Sequence, residues 1–167
     1  MLKGTYQYRI DPKGRLPVPP GFRRVLSETG KGTVVVTRLD QCLAVYAPVE
    51  WAKLEAQLAA MPAFHPKVRT LTRLLASRAV DCELDKQGRI LVPLPLRREA
   101  SLQREVTVVG VLNRLEIWPT EAWQEFLKDS ERILDDVSAD LPWPLPADAP
   151  WPGASPGAVD PQAKPSR

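Results

Sequence analysis

The sequence predicts an α+β chain, mainly β, built as a duplicated pseudo-dimer with flanking helices. Two observations carry this prediction. A segment near the start recurs about 74 positions later: Tyr8 to Arg24 aligns with Cys82 to Arg98, with seven of seventeen positions identical. Further on, at an offset of 72, Val34 to Trp51 lies over Val106 to Trp123 and pairs Leu43 with Leu115, Tyr46 with Trp118 and Trp51 with Trp123. Two blocks in the same order, separated by one small gap, are more than the chance likeness of one turn.

The elements come in the same order in each half. Residues 5–10 and 79–84 are short β-type runs ending in Asp-x-x-Gly, where the Asp side chain can accept a turn N–H and Gly can take positive φ. Each is expected to close a hairpin with a return strand, Arg15 to Val18 or Arg89 to Val92. Prolines stop that strand, and a short helix follows, carrying Phe22, Val25 and Leu26 in one half and Leu96 in the other. Thr33 to Thr37 and Cys42 to Tyr46, matched by Val106 to Val111 and Leu115 to Trp118, read as two strands joined by a tight polar turn. An amphipathic helix closes each unit. Trp51, Leu54, Leu58 and Met61 share one face of the first; Trp123, Phe126, Leu127, Leu134 and Val137 share one face of the second. Pro66 to about Ser77 is expected as a connecting helix with Val68, Leu71, Leu74 and Leu75 as its apolar stripe.

The resulting organisation is a first domain over 5–50, connecting helices over 51–78, a second domain over 79–122 and a C-terminal helix over 123–137. A four-strand unit of about 45 residues leaves sheet edges unpaired, so the two copies are expected to share one core. From 138 to 167 the chain reads as a disordered, polyproline-like tail, because eight of its 18 prolines fall there and each removes a backbone donor.

Composition excludes several classes. At 44% hydrophobic and 26% charged, the chain has the mix of a soluble globular protein, and no apolar run approaches the length of a membrane span. Neither a membrane nor a signal segment is expected, which places the protein in the cytoplasm. Cys42 and Cys82 are too few for a disulfide framework and lack the spacing of a zinc or redox site, so both are expected as buried thiols.

The net charge of +3 dictates little, but its distribution is polarised: residues 1–118 hold 19 basic against 11 acidic side chains, while residues 119–137 hold six acidic against two basic. A basic face including Lys3, Arg9, Lys13, Arg15, Arg23 and Arg24, and in the other half Arg78, Lys86, Arg89, Arg97, Arg98 and Arg104, suits a polyanion, with double-stranded DNA as the foremost candidate. Each Asp-x-x-Gly turn places an arginine at the start of its return strand. A β-ribbon tip can enter a major groove, where a guanidinium pairs bidentately with guanine O6 and N7. Asp11 and Asp85 would fix the turns and orient Arg15 and Arg89. One such turn is an ordinary surface loop; two in corresponding places point to binding.

Catalysis finds little support. His65, the single histidine, precedes Pro66 at a helix start, as a capping or surface residue would. Gly30-Lys31-Gly32-Thr33 lacks both the first glycine and the hydroxyl residue of a phosphate loop. An arginine four residues beyond each Asp would hold Asp11 and Asp85 ionised rather than tune them as acids. No cofactor, metal or small-molecule substrate is expected, and the strand-and-turn pattern suggests no buried pocket of convergent polar groups.

Asp11-Pro12-Lys13-Gly14-Arg15 and Asp85-Lys86-Gln87-Gly88-Arg89 resemble the paired signatures of the MraZ family, bacterial transcriptional regulators with two SpoVT-AbrB-type domains. Arg69, Arg73 and Leu115-Glu116-Ile117-Trp118 also resemble family positions, so the likeness covers roughly residues 1–130. The resemblance implies an AbrB-like swapped-hairpin, barrel-like fold and assembly into a ring-shaped homo-oligomer. It also implies binding, in the nucleoid, to short repeated sites upstream of the division and cell-wall gene cluster. Carried onto this chain, the DNA-contacting signature falls on Asp11, Lys13, Arg15, Asp85 and Arg89, with Lys86 and Gln87 in the second turn. Pro12 and Pro17 depart from the pattern and would stiffen the first loop or shorten its pairing. An antitoxin-like protein, binding DNA and a partner through its tail, is the alternative from another class.

Overall fold

The computed structural model describes residues 1–28 and 32–140. The proline-rich tail from 141 onward, and Gly30 and Lys31 of the Gly30 to Thr33 stretch, lie outside the described residues. Residues Met1–Glu125 form one compact unit and a second begins at Phe126.

The element order repeats. The first half runs β1 (Thr5–Arg9), β2 (Arg15–Pro17), α1 (Pro20–Glu28), β3 (Thr33–Leu39), β4 (Cys42–Tyr46) and α2 (Pro48–Ala60). After the connecting α3 (Pro66–Ser77) come β5 (Val80–Glu83), β6 (Arg89–Leu91), α4 (Leu94–Glu99), β7 (Glu105–Val111), β8 (Arg114–Pro119) and α5 (Thr120–Asp140). The chain is thus α+β and mainly strands, with five helices and a six-stranded sheet among the described residues. Proline at the first or second position of α2, α3 and α4 presets helical φ where no intrahelical donor is lost. α5 runs past the expected end at 137 to Asp140.

The hairpin expectation needs correction. β1 and β2 meet through a tight turn but do not continue as a ladder: β1 pairs with β7, and β2 pairs with β6. β5 likewise leaves its neighbour in sequence and pairs with β3. The large sheet runs β1-β7-β8-β4-β3-β5, so each half lends its first strand to the other half's hairpin. An edge that an isolated copy would expose is covered by the other copy, which is why the two share one core.

An approximate dyad relates the halves. It passes between Ala44 and Glu116, where β4 meets β8, and between Leu16 and Ile90, where β2 meets β6. Around it Leu16, Val18, Phe22, Val34, Val36, Leu43 and Val45 pack with Ile90, Val92, Leu96, Val106, Val108, Leu115 and Ile117 in one core cluster. The central strands are buried on both faces, as their β-branched runs require. Their second face is covered by Trp51 of α2, 5.7 Å from the Tyr46 ring, and by Trp123 of α5, 5.5 Å from Trp118. These are the aromatic pairs that the sequence repeat aligns.

Of the stripe expected on α3, only Leu75 is buried; Leu71 and Leu74 are between two-fifths and one-half exposed. Phe126 and Leu127, in the second unit, are exposed to a similar extent. Cys42 and Cys82 are buried and unbonded to each other. Burial pushes both thiols up, Cys82 to about 11, with the Glu116 carboxylate adding to the effect at Cys42. Among the described residues no helix is long and apolar enough to cross a membrane.

Candidate nucleic-acid interface

The β2–β6 ribbon positions the predicted site. Leu16 and Ile90, directly opposed, point into the core and are almost fully buried. Alternation along each strand turns the residues on either side outward, so Arg15, Pro17, Arg89 and Leu91 share the outer face. Both arginine tips therefore stand on one small ribbon, related by the dyad.

Local chemistry builds each tip the same way. Asp11 Oδ1 accepts the backbone N–H groups of Lys13 and Arg15, each at 2.9 Å, and its Oδ2 accepts Arg15 Nε at 2.6 Å. Asp85 Oδ1 accepts from the backbone of Gln87 and Arg89, also at 2.9 Å, and its Oδ2 accepts Arg89 Nε at 2.8 Å. One carboxylate thus closes the turn and braces the guanidinium. The bonds hold both acids below the usual carboxylate value. At Asp11 the Arg15 backbone N–H leads, ahead of its side chain; at Asp85 the Arg89 guanidinium leads, ahead of its backbone. Both are fixed anions at neutral pH, unsuited to proton transfer.

The prolines that depart from the family pattern do no damage. Pro12 occupies a turn position where Asp11 takes its hydrogen bonds from Lys13 and Arg15 instead. Val92 N–H donates to the Gly14 carbonyl at 2.9 Å and Val18 N–H to the Gly88 carbonyl at 3.0 Å. Hydrogen-bonded pairs alternate along an antiparallel ladder, so Pro17 opposite Arg89 falls at a position that needs no N–H. β2 and β6 accordingly have equal length.

Sequence reasoning missed how each tip is held by the other half. Arg97 lies against Gly14, and Arg23 against Gly88: a Cβ on either glycine would sit within 2.6 Å of the arginine's atoms. Both glycines also adopt positive φ, +91° and +72°. The equal spacing of Gly14 to Arg23 and Gly88 to Arg97 was the available signal, although spacing alone gives no hint that the contact crosses between repeats.

The remaining candidates divide. Lys13, Lys86 and Gln87 are exposed on the turns, and Lys3, Arg24, Arg98 and Arg104 are exposed elsewhere. Arg9 and Arg78 are instead engaged by Glu105 and Glu99 at 2.9 and 3.0 Å, and Arg97 Nε donates to the Val92 carbonyl at 3.0 Å. His65 takes the N-cap position of α3 without a side-chain cap bond. Among the described residues, no group of three His, Cys, Asp or Glu side chains is placed to hold a metal.

Comparison with known proteins agrees with the repeat. A family model described as "MraZ protein, putative antitoxin-like" matches twice, over residues 1–74 and 75–141. A protein named "Transcriptional regulator MraZ" from Limosilactobacillus reuteri (strain DSM 20016) is 45% identical over 141 residues, covering 84% of this chain and 97% of its own length. Proteins of the same name from Thermoanaerobacter sp. (strain X514) and Halothermothrix orenii are 40% and 41% identical, covering 84% and 83% of this chain and 96% and 95% of theirs.

Proposed function

Because the chain belongs to the MraZ family, a family of transcriptional regulators and not of enzymes, we propose that it regulates transcription by reading double-stranded DNA through Arg15 and Arg89. One observation carries the reading: two arginines, each braced through Nε by its own turn aspartate, stand on the outer face of a single two-stranded ribbon. Such a ribbon has the dimensions to enter a major groove, and a guanidinium held by its Nε edge can offer its remaining N–H groups to guanine. Lys13, Lys86 and Gln87 flank the tips as phosphate or base-edge contacts. Asp11 and Asp85, which belong to the same DNA-contacting signature, position the arginines through their Nε bonds.

Each base-reading pair supplies only about 1–3 kcal/mol of discrimination. Copies joined in a ring-shaped homo-oligomer would multiply that contribution through effective concentration when the sites are correctly spaced. Such an assembly would favour short repeated sites, which on this reading lie upstream of the division and cell-wall genes, on the cytoplasmic nucleoid. The exchange of β1 and β5 between halves supports a swapped-hairpin fold, with SpoVT-AbrB-like domains over 5–50 and 79–122.

The test is a gel shift of the full chain on the DNA upstream of its own gene at several salt concentrations, with unrelated DNA as competitor. Arg15→Ala and Arg89→Ala should each remove most sequence preference while leaving the oligomer intact, and retain a salt-dependent phosphate component. Undiminished specific binding by the double variant overturns the reading. The antitoxin-like alternative would show itself as a stoichiometric protein partner that is lost when residues 141–167 are removed.

A further inference from the structure

Leu91 is 56% exposed, although on its three-residue strand Ile90 is buried and Arg89 partly so. It stands directly across the ribbon from Arg15. Flanking hydrogen bonds at Val92–Gly14 and Val18–Gly88 make Arg15–Leu91 a non-hydrogen-bonded pair, the kind in which opposed Cα atoms approach to about 4.5 Å and side chains run closest. An aliphatic side chain and a guanidinium therefore leave the same face side by side. The major groove offers one apolar feature, the C5-methyl group of thymine, beside the O6 and N7 acceptors of guanine. Across the dyad Arg89 faces Pro17, whose compact ring is partly covered, so the two tips are chemically unequal.

We propose that Leu91 is a specificity-determining residue that packs on the C5-methyl of a thymine next to the base engaged by Arg15. This rests on the reading of Arg15 as a base contact. Leu91 makes the first tip sensitive to a methyl group, and the second tip, with Pro17, is less so. The chain then reads its two half-sites differently despite its internal repeat.

The test uses a duplex selected from a random-sequence library by the full-length protein, with each dT replaced in turn by deoxyuridine, which deletes only the methyl. One replacement should weaken wild-type binding about four-fold, the worth of one buried methyl. Leu91→Ala should lose a similar factor on the parent duplex and be indifferent to that replacement. An unfolding midpoint equal to wild type would confirm that the exposed position is not structural. A flat deoxyuridine scan, or a penalty that persists in Leu91→Ala, overturns the role of Leu91, while loss of sequence preference in Arg15→Ala would leave DNA reading standing. A change in oligomeric state on Leu91→Ala, with methyl sensitivity unchanged, would instead make Leu91 a contact between copies. Failure of any duplex to enrich would overturn both.

Discussion

Arg97, from the second repeat, lies so close over Gly14 of the first that a Cβ there would come 2.6 Å from its Nη2. Arg23 and Gly88 repeat the relationship across the dyad. Each tip is thus supported by the other half, which makes the turn glycines doubly constrained, by positive φ and by close approach. Gly14→Ala and Gly88→Ala should each destabilise the protein by about 1–2 kcal/mol in urea unfolding. Arg97→Ala should relieve the steric part of the Gly14→Ala penalty and leave the backbone part. A strictly additive double variant would show that the contact does not matter.

Acid titration offers a check on the turn aspartates. Both carboxyls titrate below their ordinary value of 3.8 in the folded chain, so the unfolded chain takes up their protons first as pH falls. Their stabilisation is fully present above that value and is lost as pH drops through the lowered folded values. Asp11→Asn and Asp85→Asn should therefore be less stable than wild type by a margin that is constant from about pH 5 to 8 and shrinks below pH 3.8. Denaturant unfolding at each pH reads this margin directly, and growth of the margin on acidification would contradict it.

What was legible in the sequence was local or periodic. The Asp11–Arg15 and Asp85–Arg89 pairs span four residues, so the turn itself brings them together. The helices announced themselves through proline starts and apolar spacing. The partner of β1 was not legible, because its alternating pattern is equally satisfied by β2 or by β7, and only burial of the common core decides between them. Apolar spacing on α3 likewise marks a face without saying whether anything covers it: Leu75 is buried and Leu71 is not. The outward position of Leu91 depended on the cross-repeat register of β2 and β6, which no local pattern encodes.

Glu116 occupies the dyad opposite Ala44 and breaks the symmetry there. Its carboxylate is buried, accepting Arg114 Nε at 2.9 Å and Trp118 Nε1 at 3.1 Å. Removing it leaves two donors without their acceptor in a covered site. Glu116→Ala should cost roughly 2–4 kcal/mol in chemical denaturation, and Glu116→Gln, which keeps an acceptor, roughly half as much. Equal losses for the two would show that packing, not the hydrogen bonds, gives the position its value.

The β7–β8 connection carries a strain that the first repeat avoids. Leu112 adopts φ +55° and Asp40, its counterpart in the β3–β4 turn, adopts φ +53°. Aspartate tolerates that left-handed conformation, whereas leucine has no local hydrogen bond to offset it. Backbone bonds with Leu2, at 2.7 and 3.0 Å, hold Leu112 in place, and its side chain is 62% exposed, so little burial repays the strain. Leu112→Gly should stabilise by roughly 0.5–1 kcal/mol, the left-handed penalty less the added freedom of the unfolded chain. Leu112→Asn should do as well or better, because it relieves strain without that entropy loss, while Leu112→Ala keeps the Cβ and should gain nothing. Thermal unfolding of the three variants separates these effects: a lower midpoint for both Leu112→Gly and Leu112→Asn would mean that the leucine side chain itself contributes stability there.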